Sequence, residues 1–224
     1  MILEFDQILS PEECNSIHNG LESARFVDGK LSAGPGAQDV KHNLQMDVSQ
    51  SEHGAAIEQL IFQALGRYPL IHAALLPRAF SNVTISRYEV GMKYGPHVDV
   101  PVMGNQSPLR SDMSMTIFLD EPEDYDGGEL NIFGMGNEQK YKLARGSAVV
   151  YPTYFLHEVV EVTRGRRTAA VLWLQSAVRD PLKRELLFEL NTAQSLLTEE
   201  APNSDATRRV RNSYANLLRL WSDI

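Results

Sequence analysis

Cysteine is almost absent from this 224-residue chain: Cys14 stands alone. No intrachain disulfide can form, and a cytoplasmic protein is expected. Long apolar runs are missing too. None approaches the length that crosses a bilayer, so no membrane partner is expected. The opening stretch MILEFDQILSPEEC carries Glu4 and Asp6 and lacks a basic segment, unlike a signal peptide. Excess positive charge is lacking as well. Net charge is −8; residues 1–178 hold 14 Lys/Arg against 22 Asp/Glu, and residues 179–224 hold seven of each. An acidic domain does not attract phosphate backbones at long range, so no nucleic-acid partner is expected. The basic run RRVR at 208–211 reads as an exposed helix face. Repeats and low-complexity segments are also absent.

What is present is enough apolar material for a core, 43 % of residues, which argues against disorder. Ser10-Pro11-Glu12-Glu13 has the form of a capping box with proline at the first helical position, predicting a helix to about Ala24. Residues 27–40 are rich in Gly, Pro, Ala and Asp and read as a loop. A second helix is expected over 51–68, where Ile57, Leu60, Ile61, Ala64 and Leu65 recur at helical spacing. From about residue 82 the period becomes two. NVTISRYEV, DMSMTIFLD, GGELNIFG, QKYKLA, SAVVYP, LHEVVEV and TAAVLWLQS follow at short intervals with turn signals between them. Many short strands predict a sandwich or barrel. After Ser176 the pattern is helical again, in two pieces with a polar break at 199–206. The fold class is therefore mainly β with flanking helices: residues 1–178 form one domain and 179–224 a C-terminal helical segment.

Within RYEVGMKYGPHVDVP, residues 87–101, His97 and Asp99 stand two apart at a strand end. On a strand such a pair shares one face, roughly 7 Å apart along the chain. It can grip a metal or merely form a surface hydrogen bond. His157 lies in a later strand, and Arg167 follows ten residues after it. Two histidines and one carboxylate are the ligand set of the facial triad of non-haem Fe(II) enzymes, and the lack of thiolates argues against structural zinc. An arginine close by offers a planar fork for a carboxylate.

The combination YGPHVDVP, DGGEL and RGSAVVYPTYFLHEVVEVTRGRRTAAVLWLQS resembles the Fe(II)/2-oxoglutarate-dependent dioxygenases of the prolyl-4-hydroxylase-like type. More narrowly, it is similar to the PKHD-type hydroxylases. The resemblance extends to ILSPEEC, VKHNLQM and the tail LLFELNTAQSL with NSYANLLRLWSDI. It implies a double-stranded β-helix (jelly roll) core, Fe(II) on His97, Asp99 and His157, and 2-oxoglutarate anchored by Arg167. It also implies O2 as a reactant, succinate and CO2 as products, and ascorbate (vitamin C) as a candidate reductant.

Arg164, Arg166 and Arg167 are close together; the resemblance, which sets the family's G-x-R on Gly165-Arg166-Arg167, implies Arg167, and period two is consistent with it. A strand starting at Arg167 places Arg167, Ala169, Val171 and Trp173 on one face, with Arg164 and Arg166 in the solvated turn. The same alternation puts Met113, Met115, Ile117 and Leu119 on a helix-covered face and Ser114, Thr116 and Phe118 on the other. The two hydroxyls suit a bound carboxylate; simple packing is the alternative. Tyr88 and Tyr94 are pocket candidates or core tyrosines, and Tyr88 joins Ser114 and Thr116 as an expected co-substrate contact. His42 is a candidate for the pocket mouth. His18 and His53 read as exposed and His72 as structural. Loops 27–42 and 100–112 are expected to flank the pocket mouth.

The reaction expected is hydroxylation of an unactivated C–H on a peptidyl, amino-acid or small-metabolite substrate. Three rivals stay open: a 2-oxoglutarate-independent cupin-like metalloenzyme, which needs no Arg167; a nucleic-acid demethylase of the same chemistry, which the acidic charge disfavours; and a non-catalytic metal-binding jelly-roll module. The apolar spacing of Leu186, Leu187 and Leu190, and of Tyr214, Leu217, Leu218 and Trp221, predicts burial against the barrel or against a second copy in a homo-oligomer.

Overall fold

The computed structural model describes residues 1–224 except Ala33, Pro35, Ser49, Gln50, Asn105, Gln106, Met135, Ile224 and the side chain of Asp47. Positions 33, 35, 105 and 106 of the two expected mouth loops therefore lie outside the described residues. In chain order the elements are β1 (Leu3–Phe5), α1 (Pro11–Glu22), β2 (Val27–Asp28), a 3-10 turn (Gly29–Ser32), β3 (Lys41–His42), β4 (Leu44–Asp47), α2 (Gly54–Gly66), α3 (Pro69–Leu75), β5 (Pro77–Phe80), β6 (Thr84–Tyr88) and β7 (Lys93–His97). They continue with β8 (Val102–Met103), β9 (Leu109–Arg110), β10 (Met113–Phe118), β11 (Leu130–Gly134), β12 (Asn137–Tyr141), β13 (Ala148–Pro152), β14 (Leu156–Val159), β15 (Arg167–Ser176), α4 (Pro181–Glu200) and α5 (Asp205–Trp221).

Two antiparallel sheets make the core. The larger runs β1-β13-β10-β15-β6-β4-β2, with β5 also on β15; the smaller runs β12-β11-β14-β7-β3. Strand β10 shows how period two builds the layers. Met113, Met115 and Ile117, followed by Leu119, face the helix-side core with Ala170, Leu172 and Leu174 of β15. Phe118 faces the other way, into a second apolar cluster with Tyr88, Leu130, Ile132 and Tyr151.

The helices cover the outer face of the larger sheet. Helix α1 starts where its capping box predicts: the Glu13 amide donates to the Ser10 hydroxyl and the Ser10 amide to the Glu13 carboxylate. Its Cys14, Ile17 and Leu21 join Ile57, Ile61, Ala64 and Leu65 of α2 and Ile71, Ala74 and Leu75 of α3 in one core. Full burial of each large aliphatic side chain contributes about 1.5–3 kcal/mol. Helix α3 was not anticipated: its seven residues are too few to show a full apolar period. The expected loop 27–40 also holds β2 and a 3-10 turn. His72 is exposed rather than structural. His18 is half-buried rather than free in solvent, with Nε2 2.6 Å from the Leu119 carbonyl.

The C-terminal helices pack on the chain's own body. Leu187 is buried and Phe188 touches the helix-side core. Arg184 donates to the Val178 and Arg179 carbonyls, both at 2.8 Å. Leu186, expected in the buried stripe, is 55 % exposed, because Leu187 takes the inward position. Among the described residues no helix is long and apolar enough to cross a membrane.

Candidate active site

Strands β7 and β14 are neighbours, and their register sets His97 directly opposite His157. Each imidazole has its Nδ1 against a carbonyl two residues upstream, Gly95 at 2.8 Å and Phe155 at 3.0 Å. A carbonyl only accepts, so Nδ1 carries the proton and Nε2 keeps a free lone pair. Both Nε2 atoms face Oδ1 of Asp99, 4.0 Å from His97 and 3.7 Å from His157. The other oxygen, Oδ2, accepts from the Trp173 indole N–H at 2.9 Å and from the Ser114 hydroxyl. Asp99 is thereby turned so that one oxygen is left for a ligand. The three side chains offer donor atoms within 4.8 Å of one another, spacings close to those of donors sharing one ion at about 2.0–2.2 Å.

Burial pushes the His97 pKa down to about 4, with the neighbouring His157 adding to the effect. The ring is therefore neutral at pH 7, as a metal ligand must be. The folded value lies below the ordinary one near 6.5, so the unfolded chain takes the proton first as pH falls. In the metal-free protein this stability is complete above about pH 6.5 and is lost on the way down to about 4. Melting temperature against pH should consequently fall more steeply over that window in wild type than in His97→Gln. Parallel curves would contradict it.

Arg167 opens β15, opposite Tyr88 of β6. It is only 2 % exposed, its guanidinium lies 5.2 Å from the Tyr88 ring and 5.4 Å from that of Phe118, and its Nε and Nη2 have no partner. A buried cation with two N–H groups unpartnered and no counter-ion among the described residues is costly. A ligand carboxylate arriving in the fork would satisfy it. Gly128, at φ +68°, makes room: a Cβ there would lie 3.1 Å from Arg167 Cδ. Arg164 and Arg166 are exposed, and Arg164 pairs with Asp126 at 2.7 Å.

A cavity of about 750 Å³ between the sheets joins these parts. His97, Asp99, His157 and Arg167 all line it, as do Tyr88 and Thr116. The region 83–175 matches the family model of the 2OG-Fe(II) oxygenase superfamily, and 182–223 that of the PKHD-type hydroxylase C-terminal domain. Over its whole length the chain is 43 % identical to a PKHD-type hydroxylase of Thermosynechococcus vestitus, all of which is covered. It is 45 % identical to one of Rippkaea orientalis, with 99 % of both chains covered.

The chain belongs to the PKHD-type hydroxylases.

Solved structures agree in fold. A prolyl hydroxylase from Trichoplax adhaerens, solved with a hypoxia inducible factor peptide fragment, superposes with a TM-score of 0.61 at 14 % identity, covering 77 % of this chain and 82 % of that one. A viral collagen prolyl hydroxylase from Paramecium Bursaria Chlorella virus-1, in its 2OG complex, gives 0.55 at 18 % identity, covering 78 % and 96 %. As a PKHD-type hydroxylase the protein is an enzyme whose cofactor is Fe(II) and whose co-substrate is 2-oxoglutarate.

Not every expected residue of this hydroxylase lies where the sequence suggested. Ser114 is fully buried and its hydroxyl is spent on Asp99. It supports the would-be metal ligand instead of facing a co-substrate carboxylate. His42 is exposed, because strand alternation turns its neighbours Lys41 and Asn43 inward. Tyr94 stacks on His97, ring centroids 3.5 Å apart. Three contributors were missed: Trp173 on Asp99, Tyr151 with its ring 5.0 Å from that of His157, and Lys41. Trp173 could have been found, since it shares the strand face of Arg167. Groups that orient metal ligands typically matter 10–100-fold for metal affinity, so Trp173→Phe should weaken Fe(II) binding by roughly that factor. A competition titration against a chelator showing less than about a twofold change would contradict this role.

Proposed function

We propose that this hydroxylase inserts one oxygen atom of O2 into an unactivated C–H bond of a substrate entering through the cavity mouth. The other oxygen converts 2-oxoglutarate to succinate and CO2. The observation that carries this reading is the buried Arg167 guanidinium, with Nε and Nη2 unpartnered and, among the described residues, no carboxylate beside it, on the same cavity as His97, Asp99 and His157. A metalloenzyme that ignored 2-oxoglutarate, or a non-catalytic jelly-roll module, would bear the cost of that cation for no return.

In this reading His97, Asp99 and His157 hold Fe(II), and Arg167 receives the distal carboxylate of 2-oxoglutarate. Tyr88 packs against the guanidinium, and Thr116 lines the same chamber. When bound, the iron and 2-oxoglutarate supply the oxygen activation and the oxidising power. The chain's own share is placement and water exclusion. The rings of Tyr94 and Tyr151 press on the two histidines and restrict water around them. The segments 27–42 and 100–112 supply mouth residues such as Ser32, Ala37, Val100 and Val102, where substrate selection is expected. We place the enzyme in the cytoplasm on the strength of its single, buried Cys14. Its acidic charge and its helices suggest neither nucleic acid nor a membrane as a partner. Incubation of the enzyme with Fe(II), 2-oxoglutarate and a cell extract tests the proposal. A product heavier by one oxygen atom, formed in step with succinate, is expected; succinate without any such product, or none at all, would contradict it.

A further inference from the structure

The cavity holds a second cation that the reaction as described does not use. Lys41 is 4 % exposed and lines the cavity. It sits on β3, paired with Tyr94 of β7, with its ammonium 5.1 Å from the Tyr94 ring. Its partners are neutral: the Ser32 hydroxyl at 2.9 Å and Oε1 of Gln45 at 3.1 Å. Among the described residues no carboxylate lies within ion-pair distance of it. Gln45 is itself fixed, its Nε2 donating to Ser86 at 3.1 Å. The ammonium is thus held in place by oriented dipoles, with no counter-ion among the described residues. Burial lowers its pKa to about 8 while Asp99 and Asp28 pull the other way, so it stays largely charged at pH 7.

The same cavity also has apolar walls: Val98, Val100 and Val102 line it yet are 54, 46 and 54 % exposed. A cationic anchor and apolar walls in one cavity describe a ligand with a carboxylate at one end and a hydrocarbon body. That carboxylate is not the one assigned to Arg167, which stands on the opposite sheet. Resting on the hydroxylase reading above, we propose that Lys41, braced by Gln45 and Ser32, binds a carboxylate of the primary substrate. The substrate is then an apolar-bodied carboxylate, either a free amino acid or the C-terminal residue of a peptide.

The test uses the full-length protein loaded with Fe(II) and 2-oxoglutarate without oxygen, titrated calorimetrically with isovalerate and with isovaleramide. These probes share shape and differ in charge. The carboxylate should bind roughly tenfold or more tighter than the amide, as loss of a charged partner implies. Lys41→Met should erase that preference, and so should Gln45→Glu, which folds a counter-ion into the site without removing the lysine. Leucine, and a leucine-ending tripeptide with free or amidated C-terminus, then show which source fits. Equal affinity for acid and amide, binding of neither, or variants that keep the preference would overturn the proposal. So would a Lys41→Met protein that loses 2-oxoglutarate affinity as much as isovalerate affinity, since the lysine would then serve the co-substrate. Failure of the underlying reading looks different: wild type would not bind 2-oxoglutarate in the presence of Fe(II).

Discussion

Arg167→Ala should weaken 2-oxoglutarate binding by about 2–5 kcal/mol, roughly 30-fold to several thousandfold, while Fe(II) affinity changes by less than about threefold. The asymmetry follows from placement. The guanidinium is buried against Tyr88 and Phe118 with Nε and Nη2 unpaired. Removing it leaves a ligand carboxylate desolvated and without a partner, which is the costly half of breaking a buried pair. The three candidate metal ligands are held by other groups: the Gly95 and Phe155 carbonyls, Ser114 and Trp173. Arg167→Lys should recover only part of the loss, because a point charge does not reproduce a two-pronged contact. Separate titrations of metal and 2-oxoglutarate on each variant check this. Equal losses of both ligands, or no loss of either, would show that Arg167 is not the co-substrate anchor.

Deleting residues 180–224 should yield insoluble or unfolded protein. Leu187 is fully buried and contributes about 1.5–3 kcal/mol; Phe188, partly buried against the helix-side core, adds to this. Polar ties run across the same junction. The Asp223 amide donates to the Ala177 carbonyl at 2.8 Å, Arg78 donates to the Asp223 carbonyl at 2.9 Å, and the N-terminal ammonium meets Glu185 at 2.5 Å. Against a typical stability of about 5–15 kcal/mol, losing all of this is severe. The same bonds motivate our view that the C-terminal segment is a structural extension of the barrel rather than a separate module. Circular dichroism and thermal melting of the truncated chain decide it. A soluble, cooperatively melting truncation would make the segment a dispensable attachment.

How far the sequence reaches depends on whether a feature is local. The start of α1 was legible because Ser10 and Glu13 satisfy each other's amides three residues apart. The two faces of β10 were legible because alternation is a property of one strand. The distinction of Arg167 from Arg164 and Arg166 rested on that period together with the family's G-x-R, and the structure buries only Arg167 of the three. What escaped depends on pairing between distant segments. Strand β1 is three residues long and exists by pairing with β13; nothing in LEF announces it. Of the pair read at a strand end, His97 closes β7 while Asp99 lies two residues beyond it, outside any strand. The role of Ser114 turned on where Asp99 arrives from, fifteen residues earlier in the chain. The register of β3 decided that Lys41, not His42, faces the cavity.

The central claim is that His97, Asp99, His157 and Arg167 form one site in which metal and 2-oxoglutarate bind together. The most direct measurement is an anaerobic calorimetric titration of 2-oxoglutarate onto wild-type protein with and without Fe(II). If the donors share one chamber, the metal and the co-substrate strengthen each other's binding. One equivalent of 2-oxoglutarate should bind the Fe(II)-loaded protein at least about tenfold tighter than the metal-free protein, and Asp99→Ala should abolish the difference. Identical affinity with and without metal, or no binding in either case, would contradict the account.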